Sequence, residues 1–235
     1  YKSPSIEEEF SDKFITWGWS NKKSKYKKGF IFKNIDFKRS KNSKDIIFQQ
    51  LCYLPRTQTH DEFYEYQHHK EKVFNIVRSI DDNLQKNIKI RLHPFSEIYK
   101  KDDYNEWKSF NKNIRIDRGY TNQSNLYFNA RIIVHCYDST GILETLSANI
   151  PTFAYFQNRL DHLNSETKKG YSELVDAEII HFSSVSLAKK ISEVYQNVED
   201  WWYDKRRQKI IKMFVKKYAN KDGRNIKNLV KILKH

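Results

Sequence analysis

Residues 131–156 contain the pattern that most restricts the fold of this chain. An apolar run at 132–136 predicts a buried strand, polar residues at 138–141 predict a turn, and residues 142–148 predict a short helix. Residues 152–156 then predict a second buried strand. A strand, a helix and a strand in this order form a βαβ unit, whose two strands are parallel. The chain is therefore expected to be an α/β protein.

The same alternation continues on both sides of this unit. Strands are predicted at 45–51, 113–117 and 178–182, and apolar spacings of three, four and seven residues predict a helix at 61–84. The chain is predicted to be helical from residue 185 onward, with Trp201 and Trp202 packed between its last helices. The expected fold class is thus a Rossmann-like parallel sheet with helices on both faces and a helical C-terminal tail.

The predicted turn has the composition of a phosphate-binding site. It contains Asp138, Ser139, Thr140 and Gly141. A helix start presents free backbone N–H groups and a positive dipole end, and ligands of open α/β sheets bind at the carboxyl ends of strands. We predict that the turn binds a phosphate. An ordinary helix cap made of the same residue types is the alternative, and Asp138 is expected either to cap the helix or to orient Arg91 or His93.

A second predicted strand also ends in residues that suit a phosphate. Residues 87–95 alternate as a strand does and finish with Arg91, His93 and Pro94. Pro94 cannot continue a hydrogen-bonded ladder, so the strand should end before it. Arginine offers a bidentate fork, and histidine offers a donor that titrates near neutral pH. Right-handed crossovers place all strand ends along one edge, so we predict that His93 and the turn surround one anionic group.

These motifs carry a resemblance to known proteins. Arg-x-His-Pro at 91–94, Tyr-Asp-Ser-Thr-Gly-x-x-Glu at 137–144 and Asn-Ile-Pro-Thr-Phe at 149–153 resemble the donor-binding half of two-domain (GT-B) transferases. The similar enzymes use cytidylyl-activated donors: bacterial sialyltransferases and Kdo transferases, and the glycerophosphotransferases of teichoic acid synthesis. The tail motif Glu-Asp-Trp-Trp at 199–202, with 214–219, resembles transferases encoded in lipopolysaccharide and capsule loci. The order Tyr-Asp at 137–138 differs from the Asp-Tyr of the teichoic-acid enzymes.

The resemblance implies an enzyme of bacterial cell-surface carbohydrate biosynthesis. It would transfer a sugar or an alditol phosphate from a CMP-sugar or a CDP-alditol to a glycan or lipid-linked glycan acceptor. No cofactor is expected besides the activated donor, no metal-binding residues are singled out, and the metal requirement stays open. The expected catalytic residue is His93, which contacts and protonates the leaving phosphate. Glu144 is expected to accept hydrogen bonds from the ribose or cytosine, or else to close a capping box. The expected donor-binding residues are Arg91, Pro94, Arg118, Asp138, Ser139, Thr140, Gly141 and Glu144.

The expected organisation has three parts. Residues 1–20 are predicted to be a leading segment or the remnant of a preceding domain, 21–200 the Rossmann-like donor-binding domain, and 201–235 helices that pack on it. Within them, residues 14–19 predict a short strand or hydrophobic plug, and 21–28 predict a solvated loop. The resemblance implies that an amino-terminal acceptor-binding domain is absent and that it contributes the catalytic base.

Charge and composition leave a second function open. With 43 Lys plus Arg against 29 Asp plus Glu, the net charge of +14 predicts anionic partners, such as nucleotides or an anionic membrane surface. The alternative function is a basic nucleic-acid-binding protein without enzymatic activity, whose aromatic side chains stack on bases. Because no helix-turn-helix, zinc or RNP motif is present, no specific nucleic acid is expected. A metal-dependent hydrolase that uses His93 and Asp138 would need a compact ligand set, which the sequence lacks.

The cellular location is predicted from two further features. The two cysteines, Cys52 and Cys136, lie far apart and fit a reducing compartment. No apolar run approaches the roughly 18 residues that a membrane span needs. We therefore expect a cytoplasmic protein, with a peripheral position at the inner face of the bacterial inner membrane as a further expectation.

Overall fold

The computed structural model describes residues 6–20, 25–31, 37–51, 60–221 and 225–234. Cys52 lies outside these residues. The strands, in chain order, are β1 (Phe14–Thr16), β2 (Tyr26–Lys28), β3 (Asp45–Gln49), β4 (Ile88–Arg91), β5 (Arg115–Asp117), β6 (Ala130–His135), β7 (Thr152–Tyr155) and β8 (Ile180–His181).

The helices connect and cover these strands. They are α1 (Ile6–Phe10), α2 (His60–Ser79), α3 (Phe95–Ile98), α4 (Asp103–Phe110), α5 (Gln123–Phe128), α6 (Thr140–Ser147), α7 (Ser165–Asp176), α8 (Ser184–Val194), α9 (Val198–Trp202), α10 (Lys205–Tyr218) and α11 (Asn225–Lys234). A 3₁₀ turn at Asp82–Asn87 leads into β4.

The main sheet has six strands in the order β5-β4-β3-β6-β7-β8, and all its neighbouring strands are parallel. The chain builds outward from β3 to β5 in one direction, then returns to β6 and builds outward to β8 in the other. The strand order therefore reverses between β3 and β6, as in the Rossmann fold. The predicted fold class, a parallel sheet with helices on both faces and a helical C-terminal end, is confirmed.

The two faces of the sheet have separate cores because successive strand residues point to opposite sides. On one face, β-strand residues such as Phe48 and Ile90 pack against α2, α4 and α8. On the other, Ile47 and Ile133 pack against α5, whereas Ala154 packs against α6, α7 and α10. All five of these strand residues are fully buried.

The helical tail differs from the prediction in one respect and agrees in another. The spacing of Trp202, Ile210, Phe214 and Tyr218 predicts one long helix, but the structure divides it. The helix α9 ends at Trp202, and α10 begins after Asp204, whose carboxylate caps it by accepting a hydrogen bond from the Arg207 backbone N–H at 3.0 Å. Trp202 is fully buried and donates from Nε1 to Asn149, so its predicted packing role is confirmed.

The prediction of a solvated loop at 21–28 was wrong for its second half. Residues 26–28 form β2, which pairs in parallel with β1. Tyr26 is buried, with its ring 5.8 Å from that of Phe14 and 5.4 Å from that of Trp19. These ring contacts stabilise β2. The lysines on both sides of Tyr26 make the segment look solvated, so its sequence did not predict the strand. Because β1 and β2 lie on either side of residue 20, the predicted leading segment shares a small sheet with the residues after it.

Candidate functional site

The switch point between β3 and β6 forms an edge of parallel strand ends. Beyond the strands, the Gln50 N–H donates to the Arg91 carbonyl at 2.9 Å, and the Cys136 N–H donates to the Gln49 carbonyl at 3.1 Å. The segments that follow β4, β3 and β6 therefore leave the sheet side by side. Neighbouring strands lie about 4.8 Å apart, so β4 and β6, separated by β3, are roughly 10 Å apart. Open α/β sheets bind their ligands at this position.

The predicted phosphate turn forms the start of α6. Ser139 is the N-cap residue with an extended backbone, yet its hydroxyl makes no capping hydrogen bond. Thr140 and Gly141 are the first two residues of the helix, where backbone N–H groups have no intrahelical acceptor. The positive end of α6 and the Ser139 hydroxyl are therefore both suited to an anion.

His135 lies directly beneath this helix start. A Cβ atom at residue 141 would be 2.8 Å from His135 Cε1, so only glycine fits there. The imidazole is fully buried, and its Nε2 lies 3.1 Å from the Thr145 hydroxyl, which donates to the Gly141 carbonyl at 3.0 Å. Burial lowers the pKa of His135 to about 3. A neutral imidazole thus supports the turn from below.

His93 follows β4 at the same edge and is half-buried. Its Nδ1 accepts a hydrogen bond from the Phe95 N–H at 3.2 Å, so the neutral ring carries its proton on Nε2. Burial, and secondarily the charge of Arg91, lowers the pKa of His93 below its ordinary value of 6.5. At neutral pH the free protein therefore presents an Nε2–H donor rather than an imidazolium.

Arg91 organises the loop after β5. Its guanidinium donates to the Asp117 carboxylate at 2.6 Å, to the Thr121 carbonyl at 3.0 Å and to the Gly119 carbonyl at 3.2 Å. The side chain is mostly buried. Much of its hydrogen-bonding capacity is thus used to hold residues 117–121 against β4.

Pro94 and Arg118 lie on the loops beside the end of β4. Gly119 has φ +95°, and a Cβ atom there would lie 2.7 Å from Pro94 Cδ, so the glycine allows the two loops to pack. Arg118 is exposed and pairs with Glu97 at 2.6 Å, while its guanidinium lies 4.2 Å above the centre of the Tyr104 ring. Through those contacts Arg118 joins the loop after β5 to α3 and α4.

Glu144 belongs to a polar network below the edge. Its buried carboxylate accepts a hydrogen bond from Gln123 Nε2 at 3.2 Å. The Tyr127 hydroxyl accepts from both Gln123 and Gln49, each at 2.7 Å. Burial raises the pKa of Tyr127, with a smaller contribution from the charge of Glu144. The network links β3, α5 and α6, and the predicted contact of Glu144 with ribose or cytosine stays a prediction.

Asp138 contacts a residue that the sequence did not suggest. Its carboxylate lies 2.7 Å from His162 Nε2, and the N-cap of α6 is Ser139. The expectation that Asp138 caps the helix or orients Arg91 or His93 was therefore wrong. His162 follows β7, which neighbours β6, so the adjacency of these two strand ends is the signal that would have suggested it.

A cavity of about 280 Å³, here called the edge cavity, opens beside this pair. Its volume is near the lower end for small-molecule sites, roughly 300–1,000 Å³. Burial lowers the pKa of His69 to about 4, partly opposed by Gln157, and burial raises the pKa of the Cys136 thiol. The cavity walls are aromatic and polar: Leu51, Tyr66, His69, Cys136, Tyr137, Asp138, Tyr155, Phe156, Gln157, Asn158, Arg159 and His162.

The structure brings the predicted residues to one edge in two groups. Arg91, Pro94 and Arg118 lie with His93 around the ends of β4 and β5. The other predicted residues lie at the start of α6, on the far side of β3. Of the predicted residues, Asp138 alone is among the described residues that line the edge cavity. The binding of one anion by His93 and Ser139 together stays a prediction.

Two features are absent from the described part of the chain. Within it, no three His, Cys, Asp or Glu side chains lie close enough to share a metal ion. None of its helices combines the length and apolar composition that crossing a bilayer requires.

A model of the LIC12162 family transferases matches residues 1–233. No curated protein sequence is significantly similar to the chain. Two structures of the wall teichoic acid polymerase TagF, one soaked with CDPG, are similar to it over 83% of its length, with a TM-score of 0.45 and 16% and 17% identity. WaaG, a glycosyltransferase involved in lipopolysaccharide biosynthesis, is similar over 82%, with a TM-score of 0.43 and 13% identity.

The chain spans 42% and 43% of the two TagF chains and 48% of the WaaG chain. At such low identities and TM-scores, these structures do not decide the assignment. The family match does, because it covers almost the whole chain. The predicted membership of a transferase family is confirmed: the chain belongs to the LIC12162 family of transferases.

Proposed function

We propose that this chain binds a cytidylyl-activated donor, a CMP-sugar or a CDP-alditol, and provides the donor site of a bacterial cell-surface glycosyltransferase or alditol-phosphate transferase. The acceptor is a glycan or a lipid-linked glycan, and a GT-B partner domain completes the enzyme. The main observation in support is the start of α6 at the switch point, where the Ser139 hydroxyl is not used as a cap. The sequence motifs at 91–94 and 137–144 favour the cytidylyl class.

The proposed reaction releases CMP in both cases. With a CMP-sugar, the bond between the anomeric carbon and the phosphate oxygen breaks, and the acceptor oxygen bonds to that carbon. With a CDP-alditol, the bond between the bridging oxygen and the alditol-bearing phosphorus breaks, and the acceptor oxygen bonds to that phosphorus. Negative charge develops on the CMP phosphate, and the N–H groups and hydroxyls at 139–141 stabilise it.

His93 acts as the general acid in this scheme. The ring is neutral in the free protein because its pKa is lowered. A bound anionic phosphate favours the imidazolium form, so donor binding draws a proton onto the ring. His93 then returns that proton to the phosphate as CMP leaves.

The acceptor hydroxyl loses a proton in the same reaction. His162 is oriented by the Asp138 carboxylate and lines the edge cavity. An imidazole held by a carboxylate is a typical general base. We therefore assign the edge cavity to the transferred group and His162 to the acceptor side of the site, in place of the base that the resemblance places in an amino-terminal domain.

Calorimetric titration with CMP, CDP, UMP and UDP tests the proposal. Cytidine nucleotides should bind more tightly than uridine nucleotides. His93→Ala and Ser139→Ala should each weaken CMP binding by about 10- to 100-fold, the usual loss for a hydrogen bond to a charged group. His68→Ala and Ser172→Ala change exposed helical residues of the same types and should bind CMP as the wild type does.

Three results would count against the proposal. Tighter binding of uridine nucleotides would exclude the cytidylyl donor class. If His93→Ala and Ser139→Ala both bind CMP as tightly as the wild type, the nucleotide does not bind at this edge of the sheet. Salt-sensitive RNA binding that ignores both substitutions, without nucleotide binding, would favour a basic nucleic-acid-binding protein.

A further inference from the structure

The outer face of α10 carries a continuous row of positive charge. Lys205, Lys209, Lys212 and Lys216 are all exposed and follow one another at spacings of four, three and four residues. Side chains at these spacings lie on the same side of a helix. We call these four residues the lysine face. Met213 borders it and is 54% exposed.

The lysine face continues into α11 through a basic cavity. A cavity of about 710 Å³ at the C-terminal end of α10 is lined by Lys28, Lys216 and Lys231, among others. On α11, the spacing of Lys227, Lys231 and Lys234 puts these lysines on one side of the helix. The shared cavity shows that the basic sides of α10 and α11 meet.

No carboxylate neutralises this surface within the described residues. The lysines of the lysine face, together with Lys28 and Lys231, take part in no ion pair there, whereas neighbouring Lys217 pairs with Glu166 at 3.4 Å. Six like charges on one surface repel one another, which costs stability unless an anionic partner balances them. The arrangement therefore points to a polyanionic partner.

Apolar side chains beside the lysines indicate which kind of polyanion binds this surface. Val230 and Leu233 of α11 are 44% and 54% exposed, and they lie between its basic side and the partly buried Leu229 and Ile232. Lys13, in the segment between α1 and β1, joins that segment to α11 by donating to the Leu233 carbonyl at 2.7 Å. A polar, charged side adjoining exposed aliphatic residues is typical of helices that lie in a membrane interface.

We propose that α10 and α11 dock the protein on an anionic lipid bilayer. The lysines contact headgroup phosphates, and Met213, Val230 and Leu233 enter the boundary between headgroups and acyl chains. The exposed apolar residues that the structure describes on α10 and α11 are Met213, Val230 and Leu233, and none of them is aromatic. Nucleic acid fits these helices less well, because single strands bind where aromatic rings are exposed for stacking. Tyr203 just before α10 is exposed and Trp19 lines the basic cavity, so RNA is the competing partner in the test. The surface lies on the helical layer opposite α2, α4 and α8.

Vesicle co-sedimentation of the purified protein tests the proposal. The protein should bind vesicles that contain phosphatidylglycerol and should not bind vesicles of phosphatidylcholine alone. The triple substitution Lys209→Gln, Lys212→Gln and Lys216→Gln should weaken binding about a hundredfold, since each lysine near an anionic surface accounts for about fivefold. Val230→Ser with Leu233→Ser should make the remaining binding more sensitive to salt.

A matched control separates this surface from overall charge. Lys86→Gln, Lys112→Gln and Lys189→Gln remove the same charge from exposed positions away from the lysine face and should bind vesicles nearly as the wild type does. An equal loss in both triple variants would overturn the proposal, as would an absence of wild-type binding to anionic vesicles. Tighter binding to single-stranded RNA than to anionic vesicles at the same salt would assign the surface to nucleic acid instead.

Discussion

At the scale of single residues, burial decides what each histidine at the carboxyl edge can do. His135 ends β6 and is sealed beneath α6, where its pKa falls to about 3 and it stays neutral at any physiological pH. His93 lies two residues beyond β4 and is only half-buried, so its smaller pKa depression leaves it able to take up a proton. Both residues end apolar segments of similar composition, and the sequence alone singled out only His93.

The titration of His93 leads to a prediction about pH. CMP should bind more tightly as the pH falls from about 8 to about 5, because the imidazolium that forms below the lowered pKa attracts the phosphate. Calorimetry on the wild type and on His93→Ala across this range checks it, and the difference between them cancels the titration of the nucleotide itself. Identical pH profiles for the two proteins would show that His93 does not contact the phosphate.

At the scale of elements, the helix starts differ in how they are capped. The Asp204 side chain caps α10, and Asn122 and Asn164 cap α5 and α7 in the same way. Ser139 occupies the equivalent position on α6 without making the bond, as do Asp102 on α4 and Asn197 on α9. The Ser139 hydroxyl, which is of a type that favours capping, is therefore available to a ligand at the start of α6.

This difference predicts unequal effects of two similar substitutions on the free energy of unfolding. Ser139→Ala should change the free energy of unfolding by less than about 0.5 kcal/mol, whereas Asp204→Ala removes a capping hydrogen bond and should lower the free energy of unfolding by more. Urea denaturation measures both. If Ser139→Ala destabilises the protein as much as Asp204→Ala does, the hydroxyl caps α6 in solution and is not reserved for a ligand.

The long apolar elements were predictable, and the short ones were not. The strands β3, β6 and β7 were expected from their apolar runs, because strands buried on both faces consist of little else. The helices α3, α4 and α5 are short and polar on one side, so their sequences show no clear helical periodicity. Apolar residues such as Trp107 and Leu126 pack into the two cores of the sheet, which a local pattern does not reveal. Their stability comes from packing rather than from local propensity.

At the scale of the whole molecule, two buried histidines, His69 and His135, connect stability to pH. The folded protein lowers the pKa of His69 to about 4 and that of His135 to about 3, whereas an unfolded chain titrates near 6.5. Below about pH 6.5 the unfolded state therefore binds more protons than the folded state. The protein should lose stability as the pH falls, and regain it as the pH rises.

The predicted slope is about 1.4 kcal/mol per pH unit for each of these histidines between about pH 6 and about pH 4. Denaturant unfolding at several pH values should show this loss of stability. His69→Gln removes one of the two titrating groups, so it should reduce the slope by about 1.4 kcal/mol per pH unit. His135→Gln provides an independent second measurement. His68→Gln, on the exposed side of the same helix, should leave the slope unchanged. An unchanged slope in both buried variants would contradict the prediction.

By itself, the sequence determined that this chain forms a parallel α/β sheet, because the periodicity of apolar residues and the alternation of strand and helix are local properties. It also identified the strand ends that carry His93 and Ser139. The tertiary structure alone decided that Asp138 pairs with His162, that Arg91 holds the 117–121 loop, and that lysines from β2, α10 and α11 meet at one cavity. Those contacts depend on strand order and helix packing, which bring distant residues together at positions that no local pattern encodes.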